Sequence, residues 1–338
     1  MKILAGDIGG TNTRLIYADA DTSNQQIQAE KYYPSSEYSS LLAVIERFYA
    51  EHHIDAGVDA ACFAIAGPVK AGIATVTNLP WIVSERELSN HLDIPLVKII
   101  NDFTGVTYGI SELNDTDFLI MQQGLLSDDS SYKPDAAVIG AGTGLGVSHR
   151  AWINGHYQAF SSEAGHAGFA PENELQCKLL SWLQKKYTHV SLETLLSGKG
   201  LYTIYTFLHE ACELPESAAI NHAMQNADPA RIITASALSG TDDLCSRTVG
   251  CFVDIYGAAA GNVALHYFPI DEIYIAGGIA SKIRQILSGP RFINAFVNKG
   301  PMTSNMEKIT VKLITQEKVG LYGALSTARS IHTAYNKE

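Results

Sequence analysis

The stretch ILAGDIGGTNTRLIYAD, Ile3 to Asp19, is a strand-like apolar run that stops at an acid, two glycines and a hydroxyl, then resumes at once as a second such run. Gly9 and Gly10 permit positive φ and let a ligand approach the backbone, while Thr11 and Asn12 put short polar groups at the tip. The stretch predicts a β-hairpin with a polar tip. The theme returns at AAVIGAGTGLGVSHRAWING, 136 to 155, again strand, glycine-rich turn and strand, closing on an Asn154-Gly155 hairpin signal. Two such units suggest an internal duplication. A third glycine turn, Ala276 to Ile279, follows another apolar run. Backbone N–H groups at such turns can cradle phosphate without net positive charge nearby. One alone reads most simply as a tight corner; three after successive strands point to a phosphate site.

With 338 residues the chain exceeds a comfortable single core and predicts two domains. Its 46% hydrophobic and 17% charged residues suit a globular protein rather than a disordered one. A net charge of -11 and the lack of any Lys/Arg block argue against a nucleic-acid groove or an anionic membrane as partner. The start, MKILAGDIGG, is too short an apolar run for a secretory signal. Val249 to Leu265 contains Asp254 and Asn262 and falls short of about 18 uninterrupted apolar residues, so it predicts a buried helix whose Gly257 and Gly261 allow close packing. Five cysteines, an odd number without a C-x-x-C pair, predict reduced thiols and a cytoplasmic protein.

Elsewhere helical and strand patterns alternate. Glu37 to His53 has helical spacing, and DAACFAIAGPV, 59 to 69, is a continuous apolar strand ended by Gly67-Pro68. GIATVTNLPW, 72 to 81, predicts a strand ending at Asn78, and Ser84 with Glu87 forms a capping pattern for a helix to Leu92. PLVKIINDF, 95 to 103, is a buried strand that delivers Asn101 and Asp102 at its end. A polar segment, GLLSDDSSYKPD, precedes the second glycine hairpin. Helical patterns dominate from Glu172 to His266, strands return at DEIYI and KITVKLIT, and a helical run closes the chain from Val319 to about Tyr335. No low-complexity linker separates two halves, which predicts an extended interface or more than one chain crossing. A Walker loop is absent, since LSGKGL lacks the first glycine and the hydroxyl after Lys199; GAGTGLGVSH lacks the dinucleotide spacing.

The ordered set of D-x-G-G-T-N, IINDF, GAGTGLGVSH, IAGGI and KVGLYGALSTA resembles the five motifs of the sugar kinase, heat-shock chaperone and actin superfamily. More narrowly, TNLPW, INDF, GAGTGLG, SSEAGH and HVSLETLLSGKGL resemble the ATP-dependent bacterial glucokinases, over nearly the whole chain from Lys2 to about Ala334. The resemblance implies an α/β protein of two ribonuclease-H-like, actin-like ATPase domains flanking a cleft. A small α/β domain would comprise 1–112 plus 318–338 and a large one 113–317. It further implies a homodimer, with D-glucose and ATP as substrates and Mg2+ as the metal.

On that resemblance Asp102 would be the general base, although Asn-Asp before FTGVTYGI also reads as a helix cap. The sugar would meet Asn78, Asn101, Asp102, Gly142, Glu163, His166 and Glu193. Taken singly, Glu193 is a first-turn acid capped by Ser191, and His166 a satisfied polar side chain. The nucleotide would meet Gly6, Asp7, Ile8, Gly9, Gly10, Thr11, Asn12, Gly142, Thr143, Gly144, Gly277 and Gly278. Asp7 would hold Mg2+ through water, or serve as a turn-former accepting from the Gly9 and Gly10 amides. In the related repressor and kinase family an E-x-G-H histidine leads into a cysteine-rich zinc cluster. Here His166 is followed by AGFAPENELQCKLL with only Cys177, so a structural zinc is not expected and the zinc-free group fits better. Two other readings share the phosphate turns: a kinase for N-acetylglucosamine or mannose, and an ATP-switched interaction protein of the actin or chaperone kind.

Overall fold

The structure, a computed structural model, describes residues 1–21, 24–54, 57–125, 129 and 131–336. Residues 126–128 and 130 of the polar segment lie outside the described residues. Two compact units emerge: Met1–Asp115 with Ala159–Ser161 and the residues from Gln316 onward, and Thr116–Gln158 with Ser162–Thr315.

In the first unit the opening stretch is the expected hairpin. β1 (Lys2–Ile8) and β2 (Asn12–Asp21) pair antiparallel, with Asp7 opposite Arg14, and β3 (Asn24–Pro34) continues the meander. α1 (Leu41–His52) starts at Ser40, whose hydroxyl accepts from the Ala43 N–H, so the helix begins four residues later than its apolar spacing suggested. β4 (Ala60–Ile65) runs parallel to β1. A small sheet follows: β5 (Val69–Lys70), β6 (Ile73–Thr75) and β7 (Ile82–Ser84). The strand expected to reach Asn78 stops at Thr75, and Asn78 itself turns left-handed, with φ 64. α2 (Glu85–Leu92) is capped by Ser84 as the sequence predicts. β8 (Leu96–Asn101) lies parallel to β4 and passes directly into α3 (Asp102–Gly109). The sheet order is β3-β2-β1-β4-β8.

The second unit opens with β9 (Phe118–Gln122), then β10 (Ala136–Ala141), β11 (Leu145–Ile153) and β12 (His156–Ser162). Its helices are α4 (Glu174–Leu183), α5 (Gly198–Glu210), α6 (Ala218–Asn226), α7 (Pro229–Ser239) and α8 (Asp243–His266). β13 (Glu272–Ala276), α9 (Gly278–Lys282), α10 (Arg284–Leu287), α11 (Pro290–Val297), α12 (Thr303–Met306) and β14 (Thr310–Ile314) complete it. The order β12-β11-β10-β13-β14, with β9 added at the edge, repeats that of the first sheet strand for strand. The repeat explains why a glycine hairpin recurs at 140 to 145: it is the same first turn in a second sheet. α8 is long and apolar enough to cross a membrane, yet 83% of its most apolar window is buried. A Cβ at Gly257 or Gly261 would strike the carbonyl oxygens of Phe292 and Phe296 on α11, so the glycines serve close helix packing.

The chain then returns to the first unit as α13 (Val319–Tyr335). One face of the first sheet buries Leu4, Ile8, Leu15 and Phe63 with Val44 and Phe48 of α1. The other buries Ile3, Ala5, Cys62 and Ala64 with Leu321, Ala324, Leu325 and Ala328 of α13. Gly105, Gly109 and Gly323 let α3 and α13 approach backbone to backbone.

Candidate functional site

Ile8, Ile65 and Asn101 stand in register on three parallel strands, so the chain leaves β1, β4 and β8 at one end of the first sheet. Ligands of open α/β sheets bind beyond these carboxyl ends. The hairpin tip there is closed by backbone, the Gly9 N–H donating to the Asn12 carbonyl at 2.9 Å. Buried Ser35 holds it from behind. Its hydroxyl donates to the Gly9 carbonyl and its N–H to the Thr11 carbonyl, each at 2.9 Å. No sequence pattern singles out Ser35, because it reaches the tip from across the meander. A Cβ on Gly10 would lie 2.6 Å from the Thr77 carbonyl oxygen, a contact that brings exposed Asn78 beside the tip. Gly6 and Ile8 are buried; a Cβ on Gly6 would meet Phe63 and Leu15, so anything they give a ligand is backbone.

Asn101 and Asp102 divide the two roles that their sequence left merged. Asn101 is the cap of α3: its Oδ1 accepts from the Phe103 and Thr104 amides at 3.0 and 3.3 Å, and its Nδ2 donates to the Gly67 carbonyl at 3.2 Å. Asp102 is the first helical residue, with Oδ1 accepting from Phe103 N–H at 2.9 Å. A carboxylate in this position gains from the helix dipole.

Asp7, opposite Arg14 in the hairpin, retains some solvent access. Desolvation pushes its carboxyl up to about 6, with the nearby Arg14 charge pulling the other way. Arg14 is itself buried, its guanidinium 3.5 Å over the Tyr32 ring, and its Nε lacks a hydrogen-bond partner. Ile8 pairs with Thr13 across the tip, and that register sets Asp7 against Arg14. A poorly solvated carboxylate packed against buried Gly320 of α13, whose added Cβ would lie 3.6 Å from it, has the oxygen chemistry that a hard cation seeks.

In the second unit β10 and β13 are parallel, with Gly140 opposite Ala276, so Gly142–Gly144 and Gly277–Gly278 leave their sheet at one end. Gly142 and Gly278 have open space where a side chain would stand, and Thr143 is exposed. Gly277 has φ 92 and an added Cβ would strike Ala141, so its backbone conformation requires glycine. Glu193 Oε2 accepts from the Leu145 N–H at 2.8 Å, and its own N–H donates to the Gly165 carbonyl at 2.9 Å. Gly144, Gly165 and Glu193 thus meet. Glu163 and His166 flank Gly165, their side chains 68% and 63% exposed and 4.0 Å apart. Exposure leaves both free to meet a solute. The expected helix through Glu193 is a correction: Ser191 Oγ accepts only within a turn, from Thr194 N–H at 3.3 Å, and α5 begins at Gly198 under the Ser197 cap. That start is part of the site, since the Gly198 N–H donates to the Gly142 carbonyl at 3.0 Å.

The glycines differ in what they tolerate. Gly142→Ala has room and should fold normally, whereas Gly144→Ala would drive a methyl into the Glu193 carboxylate and should melt lower than wild type. Thermal melts of both variants check the split.

Solved structures place this architecture. The chain superposes on glucokinase from an Antarctic psychrotroph with TM-score 0.81, 31% identity and coverage of 97% of this chain and 99% of that one. A ROK family glucokinase from Streptomyces griseus, solved with glucose and AMPPNP, gives TM-score 0.64 at 17% identity over 98% and 100% of the two chains. The fold is that of the ATP-dependent sugar kinases. The sequence profile of the family described as Glucokinase matches residues 4–331, and a glucokinase from Nostoc sp. is 40% identical over 95% of this chain and 97% of its own. The chain belongs to the glucokinase family, and is a hexose kinase.

Proposed function

We propose that the enzyme moves the γ-phosphoryl group of Mg-ATP to the 6-hydroxyl of D-glucose, giving glucose 6-phosphate and ADP, the first step of glycolysis, with Asp102 as general base. One observation supports this base: Asn101 takes the capping bonds of α3, so Asp102 stands at the carboxyl end of β8 as the first residue of the helix and not as its cap. In the transfer the sugar oxygen forms its bond to phosphorus as the bond to the ADP oxygen breaks, and its proton passes to Asp102. Asn78, Asn101, Glu163, His166 and Glu193 would orient the sugar; a buried acceptor left unpaired by a wrong epimer supplies discrimination. The glycine turns at 9 to 12 and 142 to 144 would meet phosphates, with Gly277 and Gly278 beside the adenosine. Asp7 would hold Mg2+ through water, and the metal's chemistry there is to neutralise charge on the β- and γ-phosphate oxygens.

Further parts of the reading rest on the family. The matching strand orders support two ribonuclease-H-like domains, divided as 1–112 plus 318–338 and 113–317. The zinc-free group is favoured because the segment AGFAPENELQCKLL directly after His166 offers Cys177 alone, on α4. The homodimer rests on the family resemblance alone, and a cytoplasmic location is consistent with five free thiols.

The test is ADP release from purified protein with Mg-ATP and glucose, mannose, fructose, N-acetylglucosamine or no sugar. Release only with glucose is expected. Turnover that prefers another hexose would reassign the substrate, and equal release without sugar would favour the ATP-switched interaction protein.

A further inference from the structure

Tyr256 lies on α8, fully buried, with its ring edge-on to Phe252 and Phe292. Its hydroxyl crosses to the sheet. There it accepts from the Ala141 N–H at 3.1 Å and lies 3.1 Å from the Ile139 carbonyl and 3.2 Å from the Ala276 carbonyl. A phenol has one proton, so it donates to one of the two carbonyls at a time. Burial pushes its pKa up, which keeps that proton in place at neutral pH.

The location gives these bonds their meaning. Ala141 and Ala276 end β10 and β13, and the next residues are Gly142–Gly144 and Gly277–Gly278. Ladder pairing between the strands ends at Gly140 with Ala276. The Tyr256 hydroxyl bonds Ala141 N–H and approaches the Ala276 carbonyl where the following rung would fall. It therefore satisfies the Ala141 N–H and shares its proton between the Ile139 and Ala276 carbonyls while the strands part, and so sets the spacing of the two turns.

We propose that Tyr256 is a positioning residue for the nucleotide: its hydroxyl fixes the separation at which the Gly142–Gly144 and Gly277–Gly278 turns present their backbone to ATP. The inference rests on the reading of those turns as the nucleotide site. It assigns a role to a side chain that touches no substrate and lies more than a hundred residues from the first of the turns it holds.

Tyr256→Phe keeps the ring and its packing and removes one oxygen. KM for ATP should rise ~10-fold, the scale of one buried hydrogen bond, with KM for glucose within about twofold of wild type. In the ligand-free protein, amide hydrogen exchange at Ala141 should quicken relative to that of Val138 in the same strand. A variant with unchanged KM for ATP and unchanged Ala141 exchange would overturn the proposal, as would equal rises in both KM values, the sign of a general packing defect. Gly142→Ala, run in parallel, separates the two ideas. If it weakens ATP and Tyr256→Phe does not, the positioning role fails while the nucleotide turns stand. If neither variant affects ATP, the assignment of the turns fails and takes the positioning role with it.

Discussion

Asp102→Asn should lower kcat by ~10^3, within the range that a positioned general base contributes, while KM for glucose and the melting temperature change little. The asparagine keeps an oxygen where Asp102 Oδ1 accepts from the Phe103 N–H at 2.9 Å, so the first turn of α3 survives. What disappears is the capacity to take a proton from the sugar hydroxyl. The loss of negative charge at a helix start costs roughly 0.3–1 kcal/mol of stability. The neighbouring change acts on the fold as well: Asn101→Ala removes the cap and the tie to Gly67, costing about 1 kcal/mol, and should lower the melting temperature more than Asp102→Asn does. A kcat for Asp102→Asn within tenfold of wild type would remove the base from the mechanism.

Asp7→Asn should abolish metal-dependent turnover yet stabilise the protein in the absence of metal. Its folded pKa of about 6 stands above the ordinary 3.8 because burial disfavours the charge, Arg14 compensating only in part. A carboxyl raised in this way contributes stability that is fully present below about pH 4 and lost as pH rises through 6, for the folded state then holds an ionised group that is better solvated in the unfolded chain. The loss at neutral pH is on the order of 3 kcal/mol. The metal-free variant should therefore melt a few degrees above wild type at pH 7.5, and the two should converge near pH 4. Added Mg-ATP should raise the wild-type midpoint and leave the variant unmoved. Identical melting of the two proteins at pH 7.5 would show that the carboxylate is not under strain.

The sequence carried the local features well because they are set by neighbours in the chain. The hairpin at Asp7 to Asn12, its second copy at 142 to 144 and the Ser84 cap each depend on a few adjacent residues. What it left open depends on partners far along the chain. Asn101 and Asp102 are both good helix starters, and only the bonds from Asn101 to Phe103, Thr104 and Gly67 assign the cap to one of them. Glu193 follows a serine and looks like a first-turn acid, but its carboxylate is engaged by the Leu145 amide and the helix waits until Ser197. Ser35 and Tyr256 carry no motif at all; each acts through a hydroxyl on backbone groups that only the folded meander or the packed α8 brings near.

α13 bears on how the molecule is made. The face of the first sheet formed by Ile3, Ala5, Cys62 and Ala64 finds its cover in Leu321, Ala324, Leu325 and Ala328, which leave the ribosome after the whole of the second unit. During synthesis the earlier-made strands must remain bare on one side while the later-made unit completes itself. That later helix then seals strands laid down well before it.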